Sequence, residues 1–170
     1  LDRTQVQQLT EAVTNAKDHL HGDEKLQNDK QHAITDLNQL NGLNDAQRNT
    51  FETQINQAPT RNEVAEIVAR ANALNQAMVS LRNAIQNEPQ VESSSQFINE
   101  DTPEQEAYKQ AVSNAKAIIN ETTNPIMDKA QVDQTLQEVN DAIANLHGDQ
   151  KLAQAQQQGI IDLDGLNNLN

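Results

Sequence analysis

The chain has 170 residues with no cysteine, no tryptophan and 2% aromatics, which leaves little material for thiol, redox or cofactor-stacking chemistry. A net charge of −13, from 25 acidic and 12 scattered basic residues, argues against a nucleic-acid partner, because phosphate contacts need clustered Lys and Arg. Mean hydropathy of −0.80 with 35% apolar residues is thin for one large core and suits several slim helical bundles. No apolar run reaches the roughly 18 to 20 residues that cross a bilayer, so membrane insertion is not expected.

In chain order, Val6, Val13 and Leu20 fall seven apart on one helical face. The His21-Gly22-Asp23 that follows either breaks the chain or lies within a continuous helix, and the pattern leaves both open. Leu26, Ile34, Leu37 and Leu40 resume the helical spacing, and Asn41-Gly42 ends it, with the glycine expected in the left-handed conformation that closes many helices. Asn44 with Gln47 is a capping pair opening a helix that carries Phe51 and Ile55. Thr60 with Glu63, just after Pro59, opens the clearest helix, from about Asn62 to Asn87, where Val64, Ile67, Ala71, Leu74, Met78, Leu81 and Ile85 alternate three and four apart. Roughly 38 Å long at 1.5 Å per residue, it exceeds what one small bundle covers and is expected to serve two.

Glu88 to Asp101 has no helical period beyond Phe97 and Ile98, which read as a hydrophobic plug under the longest connection. Thr102-Pro103 with Gln105 opens a helix bearing Tyr108, Ala111, Val112, Ala115, Ile118 and Ile119, and proline fits the first turn where its missing donor is harmless. Asp128 with Gln131 opens another, seamed by Val132, Leu136, Val139, Ile143 and Leu146.

The chain repeats itself. Leu20-His21-Gly22-Asp23 returns as Leu146-His147-Gly148-Asp149, 126 positions later (21 to 147). At that offset Val6, Val13, Lys25, Leu26, Ile34, Asp36, Leu37 and Leu40 match Val132, Val139, Lys151, Leu152, Ile160, Asp162, Leu163 and Leu166. The chain therefore reads as one full repeat and the start of the next, cut from a longer protein.

Reactive chemistry finds no foothold. His19 and His21 lie two apart, so on a helix they point to different sides and cannot share a tetrahedral ion, while His21 and His147 are expected in a last helical turn, near free carbonyls. Asp162-Leu163-Asp164-Gly165 places its glycine fourth, whereas a calcium loop needs it sixth. Ser93 to Ser95 have neither a nearby histidine nor elbow glycines, and Glu63 and Glu66 read as a solvated helix face. The expectation is a non-enzyme with no cofactor, no metal and no catalytic residue.

Leu40-Asn41-Gly42-Leu43-Asn44-Asp45-Ala46-Gln47, with Phe51, Ile55, Ala58-Pro59-Thr60 and Val64 beyond it, resembles the GA-type three-helix module. Phe97 to Asp149, with Asp101-Thr102-Pro103-Glu104 and Tyr108 where a middle helix starts, resembles the FIVAR-type module, as does the shorter stretch up to Asp23. Alternation of the two over the whole chain looks like the repeat region of the Ebh family of giant staphylococcal cell-wall proteins. That resemblance implies an all-α, elongated rod of tandem three-helix bundles sharing a long connecting helix. It divides the chain into residues 1–22, the last helix of a preceding FIVAR-type module; 23–87, a GA-type bundle; 63–148, a FIVAR-type bundle sharing the long helix; and 149–170, the first helix of the next GA-type module. It also implies a surface location, with signal and anchor outside these residues, and a monomeric repeat acting as rod-like spacer and binding extracellular matrix, above all fibronectin. Other GA modules bind serum albumin through the middle helix and the following turn. The alternative function is therefore a dedicated host-protein module, with Phe51, Gln54, Ile55 and Arg61 as the candidate partner surface and an exposed apolar patch expected around Phe51.

Overall fold

In the computed structural model, which describes residues 2–169, nine helices follow one another with no strand among the described residues. They are α1 (Arg3–Asp18), α2 (Gly22–Leu37), α3 (Asp45–Gln57), α4 (Arg61–Ile85), α5 (Glu88–Glu92), α6 (Ser95–Ile98), α7 (Thr102–Ile119), α8 (Lys129–Ala144) and α9 (Gly148–Asn167). The chain breaks at both His-Gly-Asp sequences, so α1 and α2 are separate helices, as are α8 and α9.

The long helix α4 is shared. Its buried residues Val64, Ile67, Ala71, Leu74, Ala77, Met78 and Leu81 run its whole length, and it packs on α2 and α3 in one bundle and on α7 and α8 in the other. One continuous apolar cluster therefore threads both bundles, and their architecture is the elongated all-α arrangement expected. Thr60 caps α4 by accepting from the Glu63 amide at 3.2 Å, and Asn44 with Gln47 makes the full reciprocal capping box of α3.

Several local expectations change. Gly42 does not adopt a left-handed conformation, since no glycine among the described residues has positive φ. It is small because α4 passes against it: a Cβ there would lie 2.6 Å from the Asn75 carbonyl oxygen and 2.7 Å from a Val79 methyl. The end of α2 and the turn beyond it are held instead by Arg48, whose guanidinium donates to the Leu37 oxygen at 2.8 Å and the Leu40 oxygen at 3.1 Å. The segment after α4 is two short helices, α5 and α6, where Phe97 is buried in the core and Val91 packs half-buried against it; Ile98 faces solvent. Asp101 holds the cap position of α7, one residue before Thr102, and Gln105 donates to the Phe97 carbonyl. His21 and His147 stand at the starts of α2 and α9 rather than in a last turn, although the His147 ring does meet the Asn145 carbonyl at 2.7 Å.

The bundles are joined by more than α4. The Gln47 side chain, fully buried, donates to the Ile126 carbonyl at 2.8 Å, and Asn44 donates to the Ile118 carbonyl at 3.2 Å. Both residues of one capping box thus also satisfy carbonyls of the α7–α8 region, and an unpaired buried amide would cost about 1–3 kcal/mol.

Candidate partner surface

The four residues expected to meet a partner separate into two pairs. Phe51 and Ile55, 1% and 0% exposed, are core residues; this corrects the expectation of an apolar patch around Phe51. The reason is economy of apolar material: α3 has no other large apolar side chain, so both must turn inward for the helix to pack at all. Gln54 and Arg61 do reach the surface. Gln54 is half-buried and its oxygen accepts from Arg70 at 3.2 Å. Arg61 is exposed and bidentate on Asp29 of α2, with Nε to Oδ2 at 2.5 Å and Nη2 to Oδ1 at 3.3 Å. The guanidinium hydrogen bond holds the Asp29 carboxyl below its ordinary range and raises Arg61. Lys30 donates to the Asn56 carbonyl at 2.8 Å on the same side. The face is therefore a lattice of amides and paired charges, suited to wet, polar contact.

A stronger electrostatic feature lies at the other end of the repeat, where sequence reasoning did not look. Glu100, Asp101 and Glu104 bring carboxylate oxygens within 4.8 Å of one another. The cation among them is the chain's own: Lys151 of α9 pairs with Glu100 and reaches Asp101 Oδ2 at 2.6 Å. Glu100 also accepts from the backbone amides of His147 and, at 2.9 Å, Asp101. The Lys151 ammonium first, then these amides, push its carboxyl down to about 2, and Lys151 is raised in turn. The repeated lysine, Lys25 and Lys151, was the available signal.

Other polar features are structural in character. Tyr108, wholly buried edge-on to Phe97 at 5.7 Å, has no hydrogen-bond partner, and burial pushes its hydroxyl up to about 12. An open cleft of about 350 Å³ between the bundles is bordered by Asn44, Arg82 and Glu121. Glu121 is pushed down to about 2 by accepting from the Asn124 and Thr123 amides, which fixes a turn. Exposed large apolar residues gather on the terminal helices, at Val6, Leu9 and Val13 of α1 and at Ile160, Ile161, Leu163 and Leu166 of α9, with Leu20 just after α1. Among the described residues no helix is long and apolar enough to cross a membrane.

A continuous helical spine, polar faces and an acidic cluster paired with the chain's own Lys151 define a tandem helical-module protein. The GA module pattern matches residues 23–77 and 149–170, and the FIVAR domain pattern matches residues 77–147. The extracellular matrix-binding protein ebh of Staphylococcus aureus strain MW2 is 61% identical over all 170 residues, as is EbhA of strain Newman. The chain spans only 2% and 5% of these relatives' lengths. A crystal structure of an EbhA domain from Staphylococcus aureus superposes with a TM-score of 0.92 at 36% identity, covering 96% of this chain and 67% of that one. A structure of the extracellular matrix binding protein Embp, which mediates Staphylococcus epidermidis adherence to fibronectin, gives 0.71 at 38% identity, covering 74% of this chain and 99% of that one. The chain belongs to the Ebh family of extracellular matrix-binding proteins, as a stretch of its alternating GA and FIVAR modules.

Proposed function

We propose that this chain is a spacer repeat of a cell-wall surface protein that also adheres to fibronectin, weakly per copy and strongly through many copies. The observation that carries the reading is α4, one helix with one apolar seam serving two bundles, which converts a string of small modules into a continuous rod. The fibronectin adherence mediated by Embp, whose structure this chain covers almost entirely, supports the choice of ligand. In this reading residues 1–22, 23–87, 63–148 and 149–170 are successive module segments, the repeat is monomeric, and polar contacts are made by exposed groups such as Gln54 and Arg61. Multivalency is essential to it, because linking weak sites raises avidity by about 10²–10⁴ without any new contact.

The test is binding of the chain to immobilised fibronectin and to serum albumin, singly and as a multimer, with small-angle scattering on the same samples. An elongated monomer whose fibronectin binding becomes measurable on multimerisation supports the proposal. Absence of fibronectin binding in both forms removes the adhesive half of it. Saturable albumin binding by the single chain would instead favour a dedicated host-protein module.

A further inference from the structure

We infer that Asn41 and Gly42 form a covalent self-modification site that α4 keeps silent and that opening of the α2–α3 turn switches on. Asn41-Gly42 is the one Asn-Gly step in the chain. At such a step the second residue's backbone nitrogen can attack the first residue's side-chain amide carbon, because glycine has no Cβ to obstruct ring closure. The Gly42 nitrogen would give up its proton and bond to Asn41 Cγ while the Cγ–Nδ2 bond breaks, and ammonia leaves carrying that proton. Water then opens the cyclic imide at one carbonyl or the other, giving aspartate or isoaspartate.

The structure separates the two reactants. Asn41 is exposed, whereas Gly42 is buried against α4. The Gly42 N–H donates to Asn75 Oδ1 at 2.7 Å, and its carbonyl accepts from Arg82 Nε at 3.1 Å. Just before the step, the Leu40 carbonyl is held by Arg48 at 3.1 Å. Ring closure would replace the N–H donor with a nitrogen that has nothing to give, facing the Asn75 oxygen, and would need the tethered turn to swing away from α4. Reaction is therefore confined to moments when the turn has lifted off, and its rate follows the population of that opened state. The product does not go back. Isoaspartate adds a methylene to the backbone beside Gly42, where even a Cβ would lie 2.6 Å from the Asn75 carbonyl oxygen, and either product adds a negative charge. A transient opening of this bundle becomes a permanent covalent mark.

The test is peptide mass spectrometry of the Asn41 peptide during incubation in mildly alkaline buffer, with isoaspartate detected by enzymatic methylation. The folded chain should modify far more slowly than the same chain in urea. Asn75→Ala, which removes the acceptor, should speed modification of the folded chain roughly tenfold or more, while Asn75→Asp, which keeps an acceptor oxygen, should stay close to the original rate. Circular dichroism shows whether each variant is folded. If Asn75→Ala is not, Arg82→Met is measured in its place with the same tenfold expectation. Modification of the folded chain at the urea rate would overturn the inference, as would a folded Asn75→Ala no faster than Asn75→Asp or an unchanged rate in Arg82→Met.

Discussion

Helices α1 and α8 are the same element in two surroundings. At an offset of 126 residues they share Val6/Val132 and Val13/Val139, each is 16 residues long, and each is followed by the equivalent leucine, Leu20 or Leu146. Val139 of α8 and Leu146 just beyond it are 0% and 1% exposed; Val13 of α1 and Leu20 just beyond it are 68% and 79% exposed. Both are helical. Local signals, such as the Asp2–Gln5 capping box of α1, thus define the helix, while burial depends on whether α4 and α7 lie alongside.

The largest break in that comparison is Leu74→Pro, at the centre of α4. It removes a helical donor at a cost of about 3 kcal/mol or more and deletes a buried side chain worth a further ~2–5 kcal/mol. Because α4 serves both bundles, circular dichroism should show the whole packed region lost and not one half; an intact second bundle would refute the shared spine. Next comes a matched pair. Leu146→Ala should cost about 2–5 kcal/mol in thermal unfolding, whereas Leu20→Ala, its equivalent just after α1, should stay within about 0.5 kcal/mol. A third contrast uses glycines. Gly42→Ala drives a Cβ into the Asn75 carbonyl and should destabilise by roughly 1–3 kcal/mol, while Gly159→Ala on α9, where nothing lies within 4 Å, should stabilise that helix by about 1 kcal/mol.

The smallest effect is electrostatic. Glu100 and Glu121 both titrate near 2 when folded, below the ordinary value of 4.5. Their stabilisation is therefore complete above about pH 4.5 and is lost as pH falls towards 2, since the unfolded chain binds those protons first. Hydrogen exchange followed down that range should show the start of α9 opening, and Glu100→Gln should open it already at neutral pH while Glu121→Gln should not.

The sequence made the long seam of α4 and the Asn44 and Thr60 caps legible because each is a local pattern of several matching residues. Phe51 was misplaced for a physical reason. Two apolar residues make a narrow stripe, and the stripe is widened by Gln47, an amide buried because it finds the Ile126 carbonyl 79 residues away. No hydropathy pattern reveals a polar group satisfied at that distance. Helices α5 and α6, five and four residues long, are too short to show a period, and Gly42 owes its identity to a passing helix rather than to its own dihedral angles. The partners of Gln54 and Arg61, Arg70 and Asp29, come from neighbouring helices, which no local pattern displays.

The shared helix also sets a phase. One residue added to an α-helix turns everything beyond it by about 100° and advances it by about 1.5 Å. Inserting a single residue in α4 between Leu74 and Ala77 would therefore swing one bundle's seam away from the other's and pull Gln47 off the Ile126 carbonyl. The number of residues in α4 fixes the azimuth of one module against its neighbour, so a copied array keeps a constant pitch only if insertions and deletions are confined to loops.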